Sequence, residues 1–135
     1  MRRKVTVVTL KAFMEELAAR ATSPGKVYFT GGATALFLGF RDQTIDIDLK
    51  LDPEPGGVFE AIALLKNKLD LNVKLASPDD FIPAPGDWRE HSRYITSIGP
   101  LEFFHYDFAL QVLLKLERGH ATILRTSPSL WAMVT

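Results

Sequence analysis

The residues best suited to chemistry in this chain are Asp46 and Asp48, two aspartates separated by one residue within an apolar segment. Side chains two positions apart on a β-strand point to the same face, so a strand here would hold both carboxylates side by side. Adjacent carboxylates repel each other unless a cation or a shared proton neutralises them. Mg²⁺ commonly binds one or two carboxylates together with substrate phosphates. The pattern therefore predicts a Mg²⁺ or Mn²⁺ site, with Asp46 and Asp48 as ligands, for a phosphate-bearing molecule.

A glycine pair, Gly31 and Gly32, separates a predicted strand from a short predicted helix. Backbone N–H groups at a helix N-terminus can bind an anion, and glycine permits both positive φ and the close approach of a phosphate. The same two residues also suit a tight turn, and both interpretations can hold together. Thr34 is either a first-turn hydroxyl or a ligand to a phosphate oxygen. A phosphate cradle next to metal-binding carboxylates predicts nucleotide chemistry.

Arg41 and Thr44 lie in the loop that leads into the Asp-x-Asp strand. Arg41 either supports the structure by pairing with a nearby carboxylate, for which its guanidinium has the required bidentate geometry, or contacts a triphosphate directly. Both residues join the two glycines and Thr34 in the predicted nucleotide-binding set.

The spacing of these residues resembles the signature of the nucleotidyltransferase superfamily, which has the polymerase-β-like fold. The positions that carry the resemblance are Gly31-Gly32-x-Thr34, Gly39, Arg41, Thr44, Asp46 and Asp48. This finer pattern is similar to a small bacterial and archaeal branch that contains the AbiEii-type toxins of abortive-infection systems and their uncharacterised relatives. The close match covers residues 27–52. The resemblance implies an α+β fold, with a mixed β-sheet and helices packed mainly on one face.

The resemblance also implies an activity, the transfer of a nucleoside monophosphate from a nucleoside triphosphate (NTP) to an acceptor hydroxyl. Asp46 and Asp48 would then hold two Mg²⁺ ions, one on the triphosphate and one on the acceptor oxygen. The implied acceptor is either an RNA, such as a tRNA end, or a protein side chain, and the sequence does not choose between them.

Members of the superfamily generally supply a third catalytic carboxylate from a later strand. Asp70, at the end of a predicted strand, is the candidate here, while Asn72 on the same strand is a neutral substitute and Glu102 and Asp107 lie further along. The resemblance also implies nucleotide binding by Lys115, whose alternative is an ordinary surface position on the last helix.

A different class of function competes with the enzyme. The chain would be a degenerate nucleotidyltransferase fold that binds a nucleotide or a partner protein without turnover. The absence of a clear third carboxylate and the short C-terminal stretch favour this alternative. A third interpretation is a toxin–antitoxin component that works only with its antitoxin partner.

Composition sets the class of protein. The 135 residues suit a single domain, 1–135, in which 121–135 shows poor periodicity and is expected to be an irregular or truncated tail. With 16 basic and 16 acidic residues the formal net charge is zero, so the balance does not predict a strongly basic nucleic-acid-binding face. No apolar run approaches the roughly 18 residues of a membrane span. We expect a cytoplasmic protein with no membrane partner.

Apolar periodicity and turn residues predict the elements that position these side chains. Helices are predicted at 10–21 with Thr9 as N-cap, at 33–38 with Gly39 ending it, at 58–69, and from an Asp107 cap to Arg118. Strands are predicted at 27–30, 45–51, 71–75, 93–98 and 101–105, the last two as a hairpin. The expected order is α-β-α-β-α-β-β-β-α.

Overall fold

The computed structural model of the chain describes residues 4–77 and 86–117, with side chains described as far as residue 112. The elements follow in the order α1 (Val7–Arg20), β1 (Gly25–Thr30), α2 (Gly31–Phe37), β2 (Asp46–Leu51), α3 (Val58–Lys68), β3 (Asn72–Leu75), β4 (Arg93–Ile98), β5 (Leu101–His105) and α4 (Phe108–Glu117). The predicted order is confirmed. The predicted tail, 121–135, lies outside the described residues.

Three predicted starts are wrong: β1 begins at Gly25 rather than at residue 27, and α2 begins at Gly31 rather than at residue 33, so both glycines of the pair lie within α2. The third is the start of α1, where the reason is a misassigned cap. Helix α1 begins at Val7, and its N-cap is Thr6, whose hydroxyl oxygen accepts a hydrogen bond from the Thr9 backbone N–H at 3.3 Å. Both threonines suit a cap, and the two β-branched valines between them are weak helix formers. Sequence alone therefore favoured the later start, whereas Asp107 does cap α4, through hydrogen bonds from the Ala109 and Leu110 N–H groups.

The five strands form one mixed sheet in the order β3-β2-β1-β5-β4. Strands β1 and β2 are antiparallel, as are β4 and β5, whereas β1 pairs with β5 and β2 with β3 in parallel. Before α1, an isolated bridge joins Val5 to Thr44 and ties the N-terminal segment to the start of β2. The chain therefore has a mixed α/β architecture, and β1 is the central strand of its sheet.

The two faces of the sheet differ because side chains alternate along each strand. Val27 and Phe29 on β1 and Ile47 and Leu49 on β2 are fully buried, in one core cluster with residues of α1, α2 and α3. These three helices therefore cover that face, which we call the core face. The other face, which we call the open face, carries the polar residues of β2.

A second, smaller cluster covers part of the open face. It consists of Tyr28, Trp88, Tyr106 and Leu110, with Phe104 packed against it. Trp88 stacks on Tyr106 with ring centroids 4.8 Å apart and meets the edge of Tyr28 at 4.9 Å. Leu110 belongs to α4, so the last helix joins this cluster. Within the described ranges, no helix combines the length and apolar character that a bilayer crossing requires.

Candidate functional site

Strand β2 presents both aspartates on the open face. Asp46 and Asp48 are half-buried, while Ile47 and Leu49 between and beyond them are fully buried in the core. In the sheet register, Asp48 lies opposite Thr30 at the end of β1. The alternation inferred from the sequence is therefore present, and the two carboxylates share one face at the β1–α2 turn.

The carboxylate of Asp46 has two polar partners on β3. The side-chain amide of Asn72 donates a hydrogen bond to Asp46 Oδ1, and Lys74 Nζ lies 3.7 Å from Asp46 Oδ2. The parallel pairing of β2 with β3 explains both contacts, because Asn72 is the register partner of Asp46 and Lys74 that of Asp48. Sequence reasoning did not assign Lys74 to the site. The available signal was the spacing of Asn72 and Lys74, which lie two residues apart on β3 just as Asp46 and Asp48 do on β2, so that the two pairs face each other once the strands pair.

Asp48 faces the glycine turn. Gly31 has a φ of +57°, in the left-handed region, and a Cβ built on it would lie 3.5 Å from Asp48 Oδ2. Glycine adopts this backbone conformation without the strain that an L side chain would experience. The first residue of α2 and the second aspartate of β2 are therefore direct neighbours, as the predicted site requires.

The backbone amide of Gly31 already has a partner. It donates a hydrogen bond to Gln111 Oε1 at 2.9 Å, and Gln111 Nε2 donates to the Tyr106 carbonyl at 2.8 Å. Gln111 is buried in α4, so its side-chain amide connects that helix to the first residue of α2. The N–H group predicted to meet a phosphate is thus bound to a side chain that sequence reasoning missed. A glutamine among the apolar residues in the first turns of a leucine-rich helix was the available signal.

Gly32 and Thr44 pack directly against each other. A Cβ at Gly32 would overlap the Thr44 hydroxyl and lie 2.9 Å from Thr44 Cβ, which is closer than van der Waals contact permits. Thr44 is buried, and its backbone forms the bridge to Val5. Close packing is therefore a sufficient reason for glycine at position 32, whether or not a phosphate approaches it.

Thr34 lies inside the core. Its hydroxyl donates to the Phe29 carbonyl at 3.1 Å and lies 3.2 Å from His105 Nδ1, and only 4% of the residue is exposed. Burial, with a smaller contribution from the nearby Arg93, lowers the pKa of His105 from 6.5 to about 4. His105 is therefore neutral at pH 7, and its Nδ1 shares a hydrogen bond with the Thr34 hydroxyl. Of the two interpretations of Thr34, this geometry agrees with the first-turn hydroxyl.

Arg41, Thr44 and Asp46 line one cleft of about 380 Å³. Lys4 also lines it, because the Val5–Thr44 bridge holds the N-terminal segment against the loop before β2. The partners of Asp46 are Asn72 and Lys74 rather than Arg41, so pairing of Arg41 with that carboxylate is not what holds the site together. The cleft places two cationic residues beside the first aspartate.

Asp70, the candidate third carboxylate, is not grouped with the aspartate pair. Asp70 is exposed in the turn before β3, with a φ of 55°, and Asn72 rather than Asp70 lies beside Asp46. Lys115 belongs to α4, but its side chain lies outside the described part of the structure. Among the described side chains, at residues 4–77 and 86–112, no three or more histidine, aspartate or glutamate residues are grouped as metal ligands.

The donor set accordingly fits a divalent ion only in part. Asp46 and Asp48 suffice for Mg²⁺ or Mn²⁺ bound through one or two carboxylates together with the phosphates of a ligand. They do not make the three-carboxylate set that the two-metal expectation requires, because the position beside Asp46 holds the amide of Asn72.

No protein-family model, curated protein or solved structure matches this chain.

Proposed function

We propose that this chain has a nucleotidyltransferase-like fold, binds an NTP with Mg²⁺ or Mn²⁺ at Asp46 and Asp48, and transfers the nucleoside monophosphate to an acceptor hydroxyl. The observation that carries the proposal is the position of the carboxylate pair. Both aspartates lie on the open face of β2, and Asp48 adjoins the left-handed Gly31 turn. A mixed sheet with this turn directly after its central strand supports the fold assignment.

The residues of this chain would act by binding and positioning. A bound divalent ion would supply neutralisation of the phosphate charge. Asp46 and Asp48 would hold and orient that ion, and Lys4 and Arg41 would attract the negative ligand into the adjoining cleft. Preorganised charge and positioning are the main sources of rate in phosphoryl-type transfer. Gln111 would keep the Gly31 turn in place from behind.

The acceptor and the cellular context belong to the same proposal. The acceptor would be an RNA, such as a tRNA end, or a protein side chain, and the reaction would take place in the cytoplasm. An antitoxin is the proposed partner if the chain works as a toxin component. Incubation with labelled NTPs, Mg²⁺ and either total RNA or total protein tests the transfer, and label in one fraction identifies the acceptor class.

Calorimetry with a non-hydrolysable NTP analogue tests the binding step. We expect binding in Mg²⁺ and at least about tenfold weaker binding in EDTA, because two carboxylates cannot accept a polyanion without a cation. Asp48→Asn should remove the Mg²⁺-dependent part. Glu60→Gln on the exposed surface of α3 is the matched control and should bind like the wild type. Equal affinity in EDTA and in Mg²⁺ would contradict the proposal.

A second candidate function, nucleotide binding without turnover, is favoured by the partners of Asp46. Asn72 and Lys74 engage both of its oxygens, and the described residues bring no third carboxylate to the pair. A protein that binds the analogue in Mg²⁺ but never labels RNA or protein would be this binding module.

A further inference from the structure

The environment of Asp46 suggests a more specific property of the site. We propose that Lys74 is a resident cation of the carboxylate pair, so that Asp46 and Asp48 take one divalent ion instead of two. This inference rests on the proposed function and concerns how many ions the site accepts. It identifies Lys74 and Asn72 as the residues that determine metal stoichiometry.

The first argument is geometric. Lys74 projects from the position on β3 that pairs with Asp48, yet its ammonium lies 3.7 Å from Oδ2 of Asp46. The charge therefore lies on the same face as both carboxylates and next to one of them. Asn72 holds the other oxygen of Asp46 through its amide N–H. Both oxygens of the first aspartate thus have donors from β3.

The second argument is electrostatic. The repulsion between two neighbouring carboxylates is the reason to expect cations, and the Lys74 ammonium already supplies one positive charge. A first divalent ion still finds two carboxylates and the phosphates of a nucleotide. A second divalent ion would have to approach an ammonium as well as the first ion, and like charges repel.

The third argument concerns the donor set. A two-metal site needs a carboxylate that bridges or completes the second ion, and this is the role that the superfamily resemblance assigns to a later strand. The strand next to β2 supplies an amide that donates to Asp46 instead. The side-chain carbonyl oxygen of Asn72 is neutral, so this position adds no negative charge with which to hold a second ion. Charge and ligand count therefore both point to one ion.

Counting bound Mn²⁺ tests the inference directly. The protein, saturated with a non-hydrolysable NTP analogue, is titrated with Mn²⁺ and the free ion is measured by electron paramagnetic resonance. We expect one bound ion per wild-type chain. The double variant Lys74→Met with Asn72→Asp should bind two, because the resident charge is gone and a third carboxylate is present.

One control variant and one stability measurement separate the effect of Lys74 on ion count from a general loss of charge or fold. Lys26→Met removes the same charge from β1 on the same face, where the ammonium lies 5.6 Å from the centre of the Phe104 ring, and it should still bind one ion. The Lys74 side chain is 56% exposed, so Lys74→Met should leave the thermal unfolding temperature unchanged. Lys74→Met alone should tighten the single Mn²⁺ by about tenfold, because one competing charge is removed.

The outcomes separate this inference from the proposed function. Two ions on the wild type, or one ion on both the wild type and the double variant, would overturn the role of Lys74 and leave the proposed function intact. No Mn²⁺ on either protein would overturn the proposed function, and the inference with it. No ion on the wild type but binding by the double variant would likewise overturn both the proposed function and the inference that the wild-type pair takes one ion.

Discussion

The two faces of strand β2 show different kinds of constraint within six consecutive residues. On the core face, close packing constrains Ile47 and Leu49, since both are fully buried under the helices. On the open face, Asp46 is held by charge and hydrogen bonds from β3, and its salt bridge to Lys74 is largely exposed. Buried apolar volume contributes far more to stability than an exposed ion pair. Stability should therefore depend on one face and ligand binding on the other.

The largest expected effect is on the core face. Leu49→Ala removes a fully buried side chain and should lower the free energy of unfolding by about 2–5 kcal/mol, measured by urea denaturation. Leu64→Ala on α3, where the side chain is 52% exposed, is the control and should change it by less than about 0.5 kcal/mol. Similar losses in both variants would break the distinction between the faces.

The free energy of unfolding should depend on pH through His105, which contacts Thr34 inside the core. The pKa of His105 is about 4 in the folded chain, and an unfolded histidine has a pKa of about 6.5, so the unfolded state binds the proton more readily between these values. The stability is fully present above pH 6.5 and is lost as the pH falls toward 4, by about 3 kcal/mol in total. Urea denaturation of the wild type and His105→Gln across this range measures it. The variant should lose this part of the pH dependence, and parallel curves would contradict the assignment.

A smaller effect on stability is expected at the start of α2, where Gly32 packs against Thr44. Gly32→Ala forces a Cβ against Thr44 and should cost about 1–3 kcal/mol, measured by thermal unfolding. Gly86→Ala is the control, because a Cβ there meets nothing within 4 Å in the part of the chain that the structure describes. If Gly32→Ala lowers stability but binds the NTP analogue normally, the glycine serves packing alone. Unchanged stability would show that Thr44 moves aside freely.

The smallest effect on stability is expected on the open face. Asp48→Asn removes one of two neighbouring carboxylates and should leave the free energy of unfolding unchanged or raise it by up to about 1 kcal/mol, because like-charge repulsion is relieved. The same variant should lose Mg²⁺-dependent binding of the analogue. A clear fall in melting temperature would show that the aspartate pair is structural, and the division between the faces would then fail at β2.

Much of this fold was predictable because its signals are local. Alternation in Asp46–Leu51 predicted which side chains enter the core, and turn residues at Gly99-Pro100 predicted the β4–β5 hairpin with its observed bounds. The start of α1 was not predictable to better than three residues, because Thr6 and Thr9 are equally good caps by type. The candidate site was predictable as far as its carboxylates and glycines, whose spacing lies within one stretch of chain.

The partners of those residues depend on the tertiary structure. The sequence by itself determined that two carboxylates share a strand face near a glycine turn, since alternation and positive φ are properties of neighbouring residues. Only the fold decided that Asn72, 26 residues away, meets Asp46, and that Gln111, 80 residues away, meets Gly31. Parallel pairing of β2 with β3 and the docking of α4 bring these residues together, and neither leaves a local pattern. The chemistry of the open face is therefore set by contacts between distant parts of the chain.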